Sequence, residues 1–73
     1  MEVILYTIDD CARCKLVKQM LNKHNVDYTE VHDRGLMETK GFISAPTIEI
    51  DGQIIDEYTN ILSWLEKNGY YSL

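Results

Sequence analysis

The spacing of hydrophobic residues changes along this chain, and each change indicates a boundary between elements. Val3 to Tyr6 is a continuous apolar run of β-forming residues, which predicts a strand covered on both faces. A helix is predicted next, with Asp9 or Asp10 as its N-cap and Asn25 as its stop. Its apolar face recurs at helical spacing and consists of Ala12, Leu16, Val17, Met20 and Leu21.

The middle of the chain predicts a second strand and a short helix. Polar and apolar residues alternate from Tyr28 to His32, which is the period of a strand. A strand, a helix and a strand in so short a segment form a βαβ unit, whose two strands run parallel. The segment from Arg34 to Phe42 has a weaker helical pattern, and we expect one or two turns that end at Gly41.

The last third of the chain predicts a β-hairpin and a final helix. Asp51-Gly52 lies between the β-rich segments 47–50 and 53–55, and suits a type I′ turn because both central residues need positive φ. Thr59 or Asn60 is expected to cap the helix, and Gly69 to end it. The predicted order is βαβαββα, which belongs to the α/β class with a four-stranded mixed sheet flanked by helices.

Length, charge and hydropathy limit the possible partners. The 73 residues suffice for one small domain, which we assign to residues 1–73. A net charge of −5 opposes binding to a phosphate backbone, so we expect no nucleic-acid partner. The apolar runs are too short for a signal peptide or a membrane span, and we expect a cytoplasmic monomer without membrane contact.

Two cysteines, Cys11 and Cys14, lie at the predicted start of the first helix. Unpaired N–H groups and the positive end of the helix dipole favour the thiolate there, which is the reactive form of cysteine. We expect Cys11 to be the exposed nucleophile and Cys14, which lies deeper, to be the resolving thiol. Cys11 attacks a substrate disulfide, and Cys14 then displaces the reduced product from Cys11.

Other uses of the same two thiols remain open. They can form a structural disulfide, lie inert in the core, or belong to a metal- or iron–sulfur-binding module. His24 and His32 are the residues that could complete a zinc site. However, the two histidines fall on different predicted elements, and a helix-forming sequence follows Cys14 where a zinc ribbon needs a glycine-containing knuckle. We therefore place thiol–disulfide exchange first, with no metal ligands assigned, and keep the metal- or cluster-binding module as the alternative.

Further motifs along the chain complete a family pattern. Tyr6-Thr7 precedes Cys11-Ala12-Arg13-Cys14, the segment Gly41-Phe42-Ile43-Ser44-Ala45-Pro46-Thr47-Ile48 follows, and Ile50-Asp51-Gly52 comes before the last helix. With these motifs the chain resembles the glutaredoxin family, which has a thioredoxin-like fold, over essentially its whole length. The short length and the Gly41-Phe42 step also resemble the glutaredoxin-like hydrogen donors of ribonucleotide reductase, which thioredoxin reductase reduces.

The resemblance implies a dithiol oxidoreductase that reduces protein or glutathione mixed disulfides, carrying electrons in cell redox homeostasis. It implies no bound cofactor, and glutathione or a thioredoxin-reductase system as the reductant. The implied partner is a disulfide-containing protein, with ribonucleotide reductase as one candidate. It also implies a cis bond between Ala45 and Pro46 beside the cysteine pair, where the backbone of Ala45 can pair with an extended substrate and Pro46 keeps metals from the thiols.

Two departures from the family pattern concern glutathione. Typical glutathione-dependent members have Pro-Tyr between the cysteines, where this chain has Ala12-Arg13. They also have a Gly-Gly pair before the last helix, where this chain has Asp56-Glu57. These two carboxylates should weaken glutathione binding by repulsion, to an extent limited by salt screening. Arg13, Tyr58 and Thr59 remain as candidate contacts for glutathione or another partner.

Overall fold

The computed structural model describes residues 1–42 and 44–70, and it contains the seven predicted elements in the predicted order. Ile43, which belongs to the segment before Pro46, lies outside the described residues. The strands are β1 (Val3–Tyr6), β2 (Thr29–Val31), β3 (Thr47–Ile50) and β4 (Gln53–Ile55). The helices are α1 (Ala12–Lys23), α2 (Arg34–Thr39) and α3 (Tyr58–Lys67).

The sheet is mixed, with strand order β2-β1-β3-β4. β1 runs parallel to β2, as expected for a βαβ unit, and antiparallel to β3, so that Leu5 lies opposite Ile48. β3 and β4 form the predicted hairpin. Its turn residues Asp51 and Gly52 have φ of 49° and 86°, which confirms the need for positive φ at both positions. β1 is therefore paired along both edges.

One face of the sheet carries the hydrophobic core. Every second residue of a strand points to the same face, and Val3 and Leu5 of β1 share theirs with Ile48 and Ile50 of β3. The helical residues packed against them are Val17, Met20 and Leu21 of α1 and Ile61 and Leu65 of α3. Tyr6 points to the opposite face, where its ring meets Phe42 edge-on at 4.9 Å between ring centroids.

The start of α1 differs from the prediction. Its N-cap is Cys11, whereas Asp9 and Asp10 precede the helix and are exposed. The reason is that Asp10 has a φ of 54° and turns the chain in the left-handed conformation that aspartate tolerates better than most residues. Ala12, which the spacing placed on the buried face, is exposed in the first turn.

The prediction for the start of α3, with Thr59 or Asn60 as its N-cap, was also wrong. Its N-cap is Glu57, with a φ of 64° and no side-chain capping bond, and Thr59 and Asn60 lie within the first turn. The chain has only Asp56 and Glu57 between β4 and α3, so the turn must be completed before the polar residues that favour a cap. The predicted helix ends are confirmed, because Asn25, Gly41 and Gly69 follow α1, α2 and α3 with positive φ. None of the described helices has the length and hydropathy to cross a membrane.

The position of the core predicts that an Ile→Val substitution lowers the free energy of unfolding by different amounts at buried and exposed positions. Ile48→Val should lower the free energy of unfolding by about 1 kcal/mol, because Ile48 is fully buried and a methyl-sized cavity remains. Ile54→Val on β4 is the matched control, and it should change little because Ile54 is 43% exposed. Urea unfolding followed by circular dichroism measures both. Equal losses would contradict this assignment of the core.

Candidate redox site

The Cys11 loop, defined as residues 7–11, connects β1 to α1 and ends at the first cysteine. Cys11 is the N-cap of α1, with extended backbone angles, and its Sγ accepts a hydrogen bond from the backbone N–H of Cys14 at 3.1 Å. The carbonyl of Cys11 accepts the first helical bond from Lys15 at 3.3 Å. An otherwise unpaired N–H at the positive end of the helix therefore points at the Cys11 sulfur.

Cys11 and Cys14 are joined by a disulfide, with their Cα atoms 5.3 Å apart. Cys14 is only 2% exposed and packs into the body of the protein, whereas Cys11 is partly exposed. This difference agrees with the order of depth expected from their positions on the helix. The partly exposed sulfur of Cys11 can be reached by an external disulfide, whereas the buried sulfur of Cys14 can reach only the sulfur of Cys11.

The structure brings two of the predicted contact residues together beside the cysteines. The guanidinium carbon of Arg13 lies 5.5 Å from the centroid of the Tyr58 ring, a cation–π distance that joins the start of α1 to the start of α3. Thr59 follows Tyr58 in the first turn of α3 and is exposed. Asp56 and Glu57, also exposed, immediately precede Tyr58.

The segment before β3 lies next to the Cys11 loop in the sheet. The peptide bond between Ala45 and Pro46 is cis, as the resemblance implied, and Pro46 is buried while Ala45 is partly exposed. Tyr6 pairs with Thr47, so the continued register places Pro46 beside Thr7, the first residue of the loop. Ala45 also lines a cleft of about 290 Å³, together with Ile8, Arg34, Met37, Glu38, Phe42 and Ser44.

The two histidines do not join the cysteines. His24 lies at the end of α1 with its ring 5.6 Å from that of Tyr70, and His32 is hydrogen-bonded to Thr7 and Asp9. Within residues 1–42 and 44–70, no three His, Cys, Asp or Glu side chains are grouped as a metal site requires. The zinc ligand set considered from the sequence is therefore not assembled.

A hydrogen-bonded group beneath the loop was missed by the sequence analysis. The buried hydroxyl of Thr7 donates to Glu30 of β2 at 2.7 Å, and Lys18 of α1 bonds the same carboxylate oxygen at 3.1 Å. The bond from Thr7 and then the bond from Lys18 hold the pKa of Glu30 below its usual value. The available signal was the threonine directly after a buried strand, which needs a partner for its hydroxyl.

A second missed contact lies on the other face of the sheet. Tyr6 is 2% exposed and its hydroxyl donates to Glu49 of β3 at 2.9 Å. Burial, followed by this bond and the charge of Glu49, raises the pKa of Tyr6. The phenol therefore stays neutral, and it ties β1 to β3 near the end of the sheet that carries the loop.

The chain is similar to known proteins in both sequence and fold. The family model described as Glutaredoxin matches residues 3–55. The thioredoxin-like protein BC3987 has a TM-score of 0.75 and 29% identity, covering 90% of this chain and 97% of its own. Wheat glutaredoxin has a TM-score of 0.74 and 20% identity, covering 96% of this chain and 74% of its own. A buckwheat glutaredoxin–glutathione complex has a TM-score of 0.71 and 15% identity, and the match covers 94% of this chain and 71% of the buckwheat chain. No curated protein matches the sequence significantly.

The lowered pKa of Glu30 predicts a pH-dependent contribution to stability. The ionised carboxylate is favoured in the folded state, so its contribution is present above the unfolded-state pKa and is lost as pH falls through the folded one. At neutral pH, Glu30→Gln should lower the free energy of unfolding by roughly 0.5 kcal/mol, a small value because the side chain is partly exposed. At about pH 3 the difference should be smaller, because the carboxylate becomes protonated as pH falls.

Urea unfolding at the two pH values measures this effect. Glu66→Gln, at an exposed position of α3, makes the same chemical change and serves as the control. A loss for Glu30→Gln that is equal at both pH values would contradict the assigned role of the carboxylate.

Proposed function

This chain belongs to the glutaredoxin family, and we propose that it is a thiol–disulfide oxidoreductase with Cys11 and Cys14 as its redox pair. The observation that carries the proposal is the geometry of Cys11. Its sulfur is partly exposed and accepts the backbone N–H of Cys14 at the start of α1, while Cys14 itself is buried and disulfide-bonded to it. That arrangement combines an accessible sulfur, a group that stabilises its thiolate, and a resolving thiol within reach.

The reaction transfers two electrons from the dithiol to a substrate disulfide. The Cys11 thiolate attacks one substrate sulfur, an S–S bond forms to Cys11, and the other substrate sulfur leaves as a thiolate that takes up a proton. The Cys14 thiolate then attacks the sulfur of Cys11 and forms the intramolecular disulfide. The second substrate sulfur leaves and is protonated in turn. An external thiol reductant returns Cys11 and Cys14 to the dithiol.

The substrate is proposed to lie along Ala45 and Pro46. Ala45 is partly exposed and stands beside the loop that carries Cys11, so its backbone is available to an extended segment that crosses the disulfide. Arg13 and Tyr58, which contact each other at the starts of α1 and α3, are proposed as further substrate contacts. Thr59, exposed in the first turn of α3, is another proposed contact.

For the reductant, two sources are considered. Glutathione is supported by the shared fold with buckwheat glutaredoxin, which was solved as a glutathione complex. The exposed carboxylates of Asp56 and Glu57 oppose it, since glutathione carries carboxylates of its own. We therefore propose a thioredoxin-reductase system as the better donor. The proposed setting is a cytoplasmic monomer acting on disulfide-containing proteins, with ribonucleotide reductase as one candidate.

Replacing Cys11 and replacing Cys14 should have different effects on disulfide exchange. Cys14→Ser should accumulate a mixed disulfide between Cys11 and a substrate, because the first attack remains possible and the second does not. Cys11→Ser should abolish exchange. Mass spectrometry after incubation with an excess of a peptide disulfide detects the adduct, and reversal by dithiothreitol confirms its nature. Full turnover by Cys11→Ser would reverse the assigned roles.

The carboxylates before α3 should set the preference for reductant. Disulfide reduction by the unaltered chain should be slow with glutathione and glutathione reductase, and faster with thioredoxin reductase and NADPH. The double variant Asp56→Asn/Glu57→Gln should lower the KM for glutathione roughly two- to fivefold, because two repulsive charges are removed.

The control for this variant is Asp27→Asn/Glu66→Gln, which removes the same charge at exposed positions elsewhere. It should leave the KM for glutathione nearly unchanged. An equal decrease in both double variants would mean that net charge, and not the position of Asp56 and Glu57, governs glutathione use.

A further inference from the structure

A histidine outside the cysteine pair is tied to the Cys11 loop at two points. His32 follows β2, and its Nδ1 lies 3.0 Å from the Thr7 hydroxyl while its Nε2 lies 2.8 Å from a carboxylate oxygen of Asp9. The backbone N–H of Thr7 also donates to the carbonyl of Val31 at 3.0 Å. The end of β2 therefore holds the first and third residues of the five-residue loop that ends at Cys11.

The number of protons available in this group determines which contacts of His32 can be made at the same time. Thr7 has one hydroxyl proton, and it is donated to the Glu30 carboxylate, which is a pure acceptor when ionised. The Thr7 oxygen must then accept a hydrogen bond from Nδ1–H of His32. The Asp9 carboxylate also accepts, and requires an Nε2–H. Both ring nitrogens are donors, so the contacts are satisfied together only by the imidazolium form.

The charged groups around His32 come from three parts of the fold. Asp9 belongs to the loop and Glu30 to β2, and Lys18 of α1 pairs with Glu30 at 3.1 Å. Asp33, the next residue in the chain, caps α2 through the N–H of Leu36. Glu30 interacts with the charges of both Lys18 and His32, and Asp9 is the carboxylate that contacts the His32 ring directly.

We propose that His32 is a positioning residue for Cys11. His32 holds the Cys11 loop through its contacts with Thr7 and Asp9, and it offsets the negative charge of Asp9. The proposal rests on the assignment of Cys11 as the nucleophile. Asp9 is two residues before Cys11, and Asp10 between them makes the left-handed turn that delivers Cys11 to the helix start.

Loss of the second proton from His32 breaks this arrangement in one of two ways. A ring without Nδ1–H needs the Thr7 proton that Glu30 now receives, and a ring without Nε2–H releases Asp9. In the second case the charge of Asp9, two residues before Cys11, is left without a partner in this group, and like charges disfavour the thiolate.

The test uses the Cys14→Ser background, in which Cys11 is the single thiol. The rate of Cys11 alkylation by iodoacetamide is measured against pH, since only the thiolate reacts. His32→Gln should move the midpoint of this curve to higher pH and lower the rate below the midpoint roughly two- to threefold. His24→Gln is the matched control at the end of α1, and its curve should coincide with that of the background. Circular dichroism checks that each variant is folded.

A second starting variant, which also carries Asp9→Asn, distinguishes an effect through the His32–Asp9 contact from a direct effect of the His32 charge on Cys11. With Asp9→Asn in place, His32→Gln should have little further effect, because the carboxylate through which His32 holds the loop is gone. An equal effect of His32→Gln with and without Asp9→Asn would overturn the proposal, as would an unchanged curve. Failure of the oxidoreductase proposal is distinguishable, because the Cys14→Ser chain would then form no mixed disulfide whatever the residue at position 32.

Discussion

The hydrogen bond from the Cys14 N–H to the Cys11 sulfur is the interaction on which the rest of the site depends. A helix N-terminus carries N–H groups without internal partners, and here one of them is satisfied by sulfur where a hydroxyl or carboxylate is usual. Capping and thiolate stabilisation are therefore the same contact. Moving the start of α1 by one residue would separate them, since the sulfur would no longer occupy the cap.

The fold holds that contact in place from both edges of β1. Parallel pairing with β2 brings Val31 and His32 to the end of β1, and antiparallel pairing with β3 brings the Ala45–Pro46 segment to the same end. The Cys11 loop leaves the sheet between these two neighbours. The fully buried residues of the core, among them Leu5 and Ile48, supply the stability that keeps the three segments in register.

Sequence reasoning recovered the parts of the structure that local physics determines. Asp51-Gly52 specifies its own turn, and Asn25 and Gly69 end helices through positive φ at their own positions. The caps of α1 and α3 were not recovered, because Asp10 and Glu57 adopt positive φ, which neither residue type indicates in a sequence.

In the site, too, the local features were predicted and those that depend on strand pairing were not. The cysteine pair was predicted because spacing within one helical turn is a local property. Arg13 and Tyr58 contact each other, and their roles as substrate contacts stay predictions. The group formed by Thr7, Glu30 and His32 was not predicted, since it depends on the register between β1 and β2. His32 was weighed from the sequence as a zinc ligand or a residue on the surface of a strand, and its hydrogen bonds to Thr7 and Asp9 were not foreseen.

Selective labelling of the reduced chain tests the assignment of Cys11 as the reactive thiol of the folded protein. The dithiol form is treated briefly with less than one equivalent of iodoacetamide near neutral pH, and the labelled position is read by peptide mapping. This assignment predicts that nearly all label is found on Cys11, and that in denaturant Cys11 and Cys14 are labelled comparably. Label found mainly on Cys14 in the folded chain, or an even distribution between the two, would contradict it.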